Sequence, residues 1–257
     1  MEPKHLLNEW QNMVNLLRAS SSLFILLDFD GTLTPIVRRP QEAYLSTETK
    51  QLLKILADNP RFKIAIVSGR MLNDVKERVG LEGLYYAGNH GLQITGPNLN
   101  FTHPKAKKLV GSIEKLANSL KSVLSGIEGV IVENKIFTIS VHYRLTPLEK
   151  IGWVKKKVLN EANQFQQILV TQGKKVLEVK PSVDWNKGEA ARFLVKSVAP
   201  ASLPIYAGDD NTDEDAFIKL KEGVTILVAE EFKKTNAKYY LRNTNEVQDL
   251  LRRLANL

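Results

Sequence analysis

Two carboxylates stand two positions apart at the end of an apolar run, where Leu23-Phe24-Ile25-Leu26-Leu27 leads into Asp28-Phe29-Asp30-Gly31. Alternate side chains of an extended backbone project to one side. Asp28 and Asp30 are thus spaced to share a divalent cation, or to divide the work of nucleophile and acid. A turn that merely ends a strand would also use Asp and Gly, so the pair needs company to mean chemistry. A second acidic stretch, GDDNTDEDAF, supplies it with Asp209, Asp210, Asp213, Glu214 and Asp215. Carboxylates so crowded repel unless a cation neutralises them or water screens them, and an oxygen-only donor set fits a hard ion, Mg2+ above all. A calcium loop of the EF-hand type fails on spacing, since no glycine stands at its sixth position. Glu214 and Asp215 suit the first turn of a following helix, where negative charge complements the dipole. Asp209, with Asp210 or Asp213, is left to reach the ion.

Groups that would hold an anion lie between these acids. Phe62 to Val67 is a second apolar run, followed by Ser68-Gly69-Arg70 and a helical pattern from Met71 to Val79 that Gly80 closes. A hydroxyl, loop amides and a helix amino end suit phosphate. A helix cap formed by Ser68 would explain the same residues. Lys187, beside Gly188, opens a helix whose apolar positions are Ala190, Phe193, Leu194 and Val198. A cation is unfavourable at a helix amino end, so Lys187 requires an anion to face. Leu84 to Gly91 reads as a third strand leading to Asn89 and His90. A lone histidine is ordinarily structural, but Gly88 and Gly91 make a turn that would expose this one.

The elements that must position these groups follow from periodicity. Leu23 to Leu27 lacks alternation, as a strand buried on both faces of a parallel sheet does. Asp28 and Asp30 then sit at the carboxyl end, where open α/β sheets bind ligands. Helices are expected over His5 to Arg18, Thr47 to Asp58 and Asn245 to Leu254, and strands over Pro204 to Ala207 and Val224 to Val228. From Pro104 the pattern changes. A helix from Ala106 to Leu124 precedes strand-like runs Gly129 to Glu133 and Ile136 to Tyr143. A helix from Pro147 to Ala162 then precedes Gln167 to Thr171 and Lys175 to Val179, turning at Gly173. Two repeats of a helix and paired strands predict a separate α+β layer over residues 104–181, inserted into a core of 1–103 and 182–257. In FTISVHYR, Phe137, Ile139, Val141 and Tyr143 point toward the helices and Thr138, Ser140, His142 and Arg144 away. With Glu133, Lys135 and Glu178, that second face offers the donors and acceptors a polyhydroxylated ligand needs, although a solvated face would look similar. The insertion reads as a lid over the acidic turn.

Composition narrows the partners. The net charge of +8 favours anions, and the absence of cysteine excludes disulfides, thiolate nucleophiles and cysteine metal sites. No zinc-finger spacing, aromatic RNA-binding box or basic tail accompanies the lysines, which spread around solvated helix faces; a small anionic substrate is favoured over nucleic acid. No apolar run approaches the roughly 20 residues needed to span a bilayer. The amino terminus lacks the plan of a secretory signal, so a cytoplasmic protein without membrane partners is expected.

In order, DFDGT, SGR, NKG and GDDNTDEDAF resemble the four motifs of the haloacid dehalogenase superfamily, with a cap between the second and third. LDFDGTLTPI, VSGR, GNHG, the HYR triplet and LEVKP before NKG are similar to the trehalose-6-phosphate phosphatases. The resemblance implies an α/β fold: a Rossmann-like core with a mostly parallel sheet and a smaller α+β cap. It implies magnesium-dependent hydrolysis of trehalose 6-phosphate through an aspartyl-phosphate, by a monomer whose partner is a small-molecule sugar phosphate. Asp28 would attack phosphorus while Asp30 protonates the departing oxygen and later activates water. Ser68 and Lys187 would hold the phosphoryl oxygens. The metal would bind Asp28, the Asp30 backbone carbonyl and Asp209, with Asp210 and Asp213 as further candidates. Gly69, Arg70, Asn89, His90 and Asn211 would line the substrate site, and Glu133, Lys135, Arg144, Lys174 and Glu178 would bind the disaccharide. Three rivals stay open: a phosphatase of the same fold for sucrose phosphate or mannosyl-phosphoglycerate, a silent domain that only senses the ester, and, from the basic charge, a nucleic-acid binder. The intact Asp30 argues against the silent domain, since a pure binder has no use for a leaving-group acid.

Overall fold

The apolar run before Asp28 becomes a strand buried from end to end, and the sheet is laid out around it. The computed structural model describes residues 2–37, 39–231 and 233–257, and of Pro40 the backbone alone. In chain order the elements are β1 (Lys4–His5), α1 (Trp10–Ala19), β2 (Leu23–Leu27), α2 (Thr47–Asp58), β3 (Phe62–Val67), α3 (Leu72–Val79), β4 (Tyr85–Gly88), β5 (Gln93–Gly96), β6 (Leu99–Thr102), α4 (Pro104–Lys108), α5 (Val110–Leu124), β7 (Ile131–Asn134), β8 (Ile139–His142), α6 (Leu148–Ala162), β9 (Ile168–Gly173), β10 (Val176–Pro181), α7 (Lys187–Val198), β11 (Leu203–Gly208), α8 (Asn211–Lys219), β12 (Val224–Val228), β13 (Tyr239–Leu241) and α9 (Thr244–Ala255). They form two compact units, Met1–Phe101 with Trp185–Leu257, and Thr102–Asp184.

The first unit is built on a sheet of order β1-β13-β12-β11-β2-β3-β4-β5-β6. Pairing from β1 through β4 is parallel, and β5 returns antiparallel on β4. Leu23, Ile25 and Leu27 face a core made with α1, α2, α3 and α9, while Phe24 and Leu26 face the other core, made with α7 and α8. Both faces of β2 are therefore covered, which is why its sequence does not alternate. The neighbours of β2 are β11 and β3, so Asp28, Ser68 and Asp209 all leave adjacent strands at the same carboxyl edge.

The second unit is an antiparallel sheet of order β7-β8-β10-β9. Ile139, Val141, Leu177 and Val179 pack against Ile113, Leu116, Leu120, Val154 and Val158 of α5 and α6. The alternation in β8 thus sends its apolar side to the helices. The architecture is α/β: a mostly parallel sheet covered by helices on both faces, with a separate antiparallel layer.

Some boundaries differ from the periodicity. Lys4–His5 is not helical: it adds to β13 through Lys4 N to Lys238 O (3.1 Å) and Leu6 N to Tyr240 O (3.1 Å), so sheet bonds outbid local propensity and the helix begins only at Trp10. The expected helix from Ala106 starts earlier, because Pro104 suits a first helical turn, and breaks at Leu109 into two pieces. The strand through Tyr86 stops at Gly88, since Asn89 and His90 take left-handed φ of 52° and 56°.

Candidate active site

Asp28 is 4 % exposed at the end of β2, and its amide donates to Ala207 O of β11 at 2.9 Å. Lys187, the first residue of α7, is also buried and donates from Nζ to Asp28 Oδ1 at 2.8 Å and Asp213 Oδ1 at 2.9 Å. This is the anionic company that a cation at a helix amino end requires. Asn186 caps the same helix by accepting from Glu189 N at 2.9 Å, which fixes where Lys187 starts. Burial disfavours the Lys187 cation, yet Asp213 and Asp28 outweigh it and hold its pKa above the ordinary value.

Asp28, Asp209 and Asp213 offer carboxylate oxygens that all lie within 4.8 Å of one another. Burial pushes Asp28 well above the carboxylate range; Lys187 opposes this, and Asp213 and Asp209 add to it. Asp209 rises to about 6, from burial first and then from Asp213. Two buried carboxylates and one partly buried carboxylate gathered this closely suit a cation with oxygen preference, so the donor set fits a hard divalent ion. Gly31, at φ +85°, is what permits the group to form, because any Cβ there would run into the Asp209 carboxylate. Asp213 is fully buried and heavily used: besides Lys187 it accepts from the Tyr206 hydroxyl at 2.8 Å and, through Oδ2, from Asp210 N at 3.0 Å.

Asp210 and Asp30 stand outside this carboxylate group. The Asp210 side chain caps α8 in a reciprocal box with Asp213, accepting from Asn211 N at 2.7 Å, so helix-capping geometry takes the oxygen that was expected to reach the ion. Asn211 is exposed on that first turn. Asp30, with a side chain 40 % exposed, is gripped by Arg70, whose Nε and Nη2 reach its two oxygens at 2.7 and 2.6 Å. Arg70 was expected to bind substrate; its donors instead face Asp30 and, from Nη1, Asp74 Oδ2 at 2.9 Å.

Ser68 is buried at the end of β3 and does not cap α3, whose cap position is Met71. Its Oγ accepts from Arg70 N at 3.1 Å, and its carbonyl accepts from His90 N at 3.0 Å. Asn89 N donates to Arg70 O at 2.7 Å, so the turn after β4 ties down the turn after β3. The His90 ring lies over Gly69, where a Cβ would come within 2.7 Å of it.

In the second unit Glu133, Ser140 and Glu178 stand side by side across β7, β8 and β10. Ser140 Oγ donates to Glu178 Oε1 at 2.8 Å, Lys135 Nζ lies 3.8 Å from that oxygen, and His142 Nε2 is 3.1 Å from Glu133 Oε2. Glu178 Oε2 is buried with no hydrogen-bond partner among the described residues. Arg144 and Lys174 are exposed at the end of this sheet, joined by Arg144 Nη2 to Lys174 O at 3.3 Å.

Several participants had escaped the sequence reading. Tyr206 was one, although a buried tyrosine must find a partner for its hydroxyl. Thr32 is fully buried, and its Oγ1 has no hydrogen-bond partner among the described residues. Asp74 and Arg78 follow Arg70 at four-residue steps on a helix, a spacing that would have revealed them. Lys233 reaches the Asp209 backbone carbonyl, and its loop is tied to α8 where Thr235 Oγ1 and Asn236 N donate to Glu214 at 2.6 and 2.7 Å.

A family model described as trehalose-phosphatase matches residues 26–245. The chain is 41 % identical over 248 residues to a probable trehalose-phosphate phosphatase D of Arabidopsis thaliana, covering 90 % of this chain and 67 % of that one. Among solved structures, the C-terminal domain of a Candida albicans trehalose-6-phosphate phosphatase superposes with a TM-score of 0.82 at 24 % identity, covering 100 % of this chain and 99 % of that one. A trehalose-6-phosphate phosphatase related protein gives 0.81 at 25 %, covering 91 % and 97 %. With its acids, its lysine and its Ser68-Gly69-Arg70 turn gathered at one sheet edge and this likeness along nearly its whole length, the chain belongs to the trehalose-phosphatase family, whose members are phosphoric monoester hydrolases.

Proposed function

We propose that this protein hydrolyses trehalose 6-phosphate to trehalose and phosphate, through a covalent intermediate on Asp28 and with Mg2+ as cofactor. One observation supports the reading above the others: the two acids of the DFD turn have different partners. Asp28 is buried on Lys187, and Asp30 is half-open on Arg70. Paired titratable groups in contrasting surroundings are the mark of divided acid and nucleophile roles.

In the first step an Asp28 oxygen attacks phosphorus, and the bond from phosphorus to the sugar oxygen breaks. The electron pair stays on that oxygen, which takes a proton from Asp30. In the second step water gives a proton to Asp30 and attacks phosphorus. The bond from phosphorus to Asp28 then breaks, releasing phosphate and restoring the carboxylate. Lys187 holds Asp28 in place and, with Ser68, faces the phosphoryl oxygens. Asp28 and Asp209, with the Asp30 carbonyl, would hold the magnesium, and Asp213 stands beside them. Bound there, Mg2+ would let the clustered carboxylates ionise together and offset charge on the phosphoryl group. The polar face of the second unit, with Glu133, Lys135, Glu178, Arg144 and Lys174, is assigned to sugar hydroxyls; an acceptor such as Glu178 Oε2, buried and unpaired, suits a hydroxyl donor.

The test is phosphate release by purified protein with magnesium from trehalose 6-phosphate, glucose 6-phosphate and sucrose 6-phosphate. The first should be hydrolysed far faster, and equal rates would overturn the substrate. Asp28→Asn should abolish turnover with the fold retained, and chelation of magnesium should do the same reversibly. An active Asp28→Asn protein would overturn the covalent mechanism.

A further inference from the structure

Arg70 is set up to hold something, and what it holds is the other acid. Its Nε and Nη2 donate in parallel to both oxygens of Asp30, the fork-on-carboxylate geometry that fixes direction as well as distance. Its Cζ lies over the Phe29 ring, 5.3 Å from the centroid, and Phe29, which separates the two acids in sequence, is itself fully buried. Nη1 donates to Asp74, whose other oxygen accepts from Arg78 Nε at 2.8 Å. Arg78 Nη1 in turn donates to Gln41 O and Ala43 O, at 3.1 and 2.9 Å. The chain Asp30, Arg70, Asp74, Arg78 alternates in charge and runs from the turn of the acids onto α3. The Arg70 side chain is only 10 % exposed, and its backbone is bonded on both sides, N to Ser68 Oγ and O from Asn89 N.

We infer that Arg70 is a positioning residue for Asp30: anchored on α3 through Asp74 and Arg78, it sets the carboxylate that serves the leaving group. This rests on the phosphatase reading above. A guanidinium that bound the substrate phosphate would need its donors turned to the ester, and here three of them are spent on carboxylates of the same chain. Lysine cannot reproduce the two-point grip, because an ammonium is a point charge.

The consequence is selective. A positioned acid matters for a sugar alkoxide, a poor leaving group, and little for a nitrophenolate, which departs unaided. Arg70→Ala should lower kcat for trehalose 6-phosphate about 100-fold, the scale of a general acid. KM should stay within about threefold, since ground-state binding is untouched. With p-nitrophenyl phosphate the pre-steady-state burst of nitrophenolate should survive at near wild-type rate. Arg70→Lys should fall between wild type and Arg70→Ala. Adding Arg70→Ala to Asp30→Asn should cost little more, as two residues acting through one group are not additive. Should Arg70→Ala fail to fold, Asp74→Asn loosens the same grip from its far side and should show the same leaving-group selectivity more weakly. A raised KM with kcat unchanged, an equal loss on both esters, or full additivity with Asp30→Asn would overturn the inference. Wild-type protein inactive on both esters would bring down the phosphatase reading together with it.

Discussion

A lysine shared by two buried carboxylates is the residue on which the site balances. Lys187 is 3 % exposed between Asp28 and Asp213, and no other cation touches either carboxylate among the described contacts. Removing one partner of a buried ionic group leaves uncompensated charge, at a cost of about 3–5 kcal/mol. Lys187→Ala should therefore lower the unfolding free energy by that amount, read as a lower urea midpoint at unchanged slope, and stop phosphate release. Unchanged stability would mean that the two acids are protonated rather than paired. Gly31→Ala tests the same group from the side of space: the added methyl must displace the Asp209 carboxylate, so activity should fall at least about 100-fold while the sheet, read by circular dichroism, stays intact. The sequence announced Lys187, because its place at a helix start demands an anion. It pointed Arg70 to the substrate, because a three-residue turn says where a guanidinium begins and not where it ends. Asp210 is hard to place for a related reason: the acids before a helix include its cap, and spacing alone does not separate a cap from a residue that could reach an ion.

Elements hold these residues by means the local pattern only partly records. Strand β2 was legible because complete burial leaves an unbroken apolar run, and β3 and β12 because theirs is interrupted only by Lys63 or Thr225, whereas β1, two residues long, has no pattern and exists only through its neighbour. Its tether is specific. His5 Nε2 meets Glu246 Oε2 at 2.9 Å, and the same oxygen accepts from Arg242 N at 2.8 Å. Burial disfavours the Glu246 anion, but the Arg242 amide and His5 prevail and hold its pKa below the ordinary 4.5. A carboxylate with a depressed folded pKa stabilises above its unfolded value, and loses that contribution as pH falls through the folded one. Glu246→Gln should thus cost about 1 kcal/mol at pH 7, the worth of such a hydrogen-bonded group. The gap from wild type should close in acid below pH 4.5. Urea midpoints at the two pH values measure it, and a gap that stays constant would rule out the charge as its source.

At the scale of the whole molecule the charge is unevenly placed. The net charge is +8, and the unit Thr102–Asp184 alone carries fourteen lysines and arginines against seven acids, while the larger unit is close to neutral. The composition pointed to an anionic partner, but only the division into units locates the charge in the layer assigned to the sugar. A field of this kind raises the local concentration of an anionic ester without touching the chemical step. Raising KCl from about 0.1 M to about 1 M shortens the screening length from roughly 10 Å to roughly 3 Å. kcat/KM for trehalose 6-phosphate should then fall several-fold, carried by KM, while kcat stays within about twofold. Charge-neutralising Lys→Gln changes at exposed Lys150 and Lys156 of α6 should flatten that salt dependence, because long-range attraction depends on summed charge more than on contact. If kcat/KM were insensitive to salt, or if kcat fell with it, the excess charge would have no part in capture, and recognition would lie wholly in short-range contacts such as those of Glu133 and Glu178.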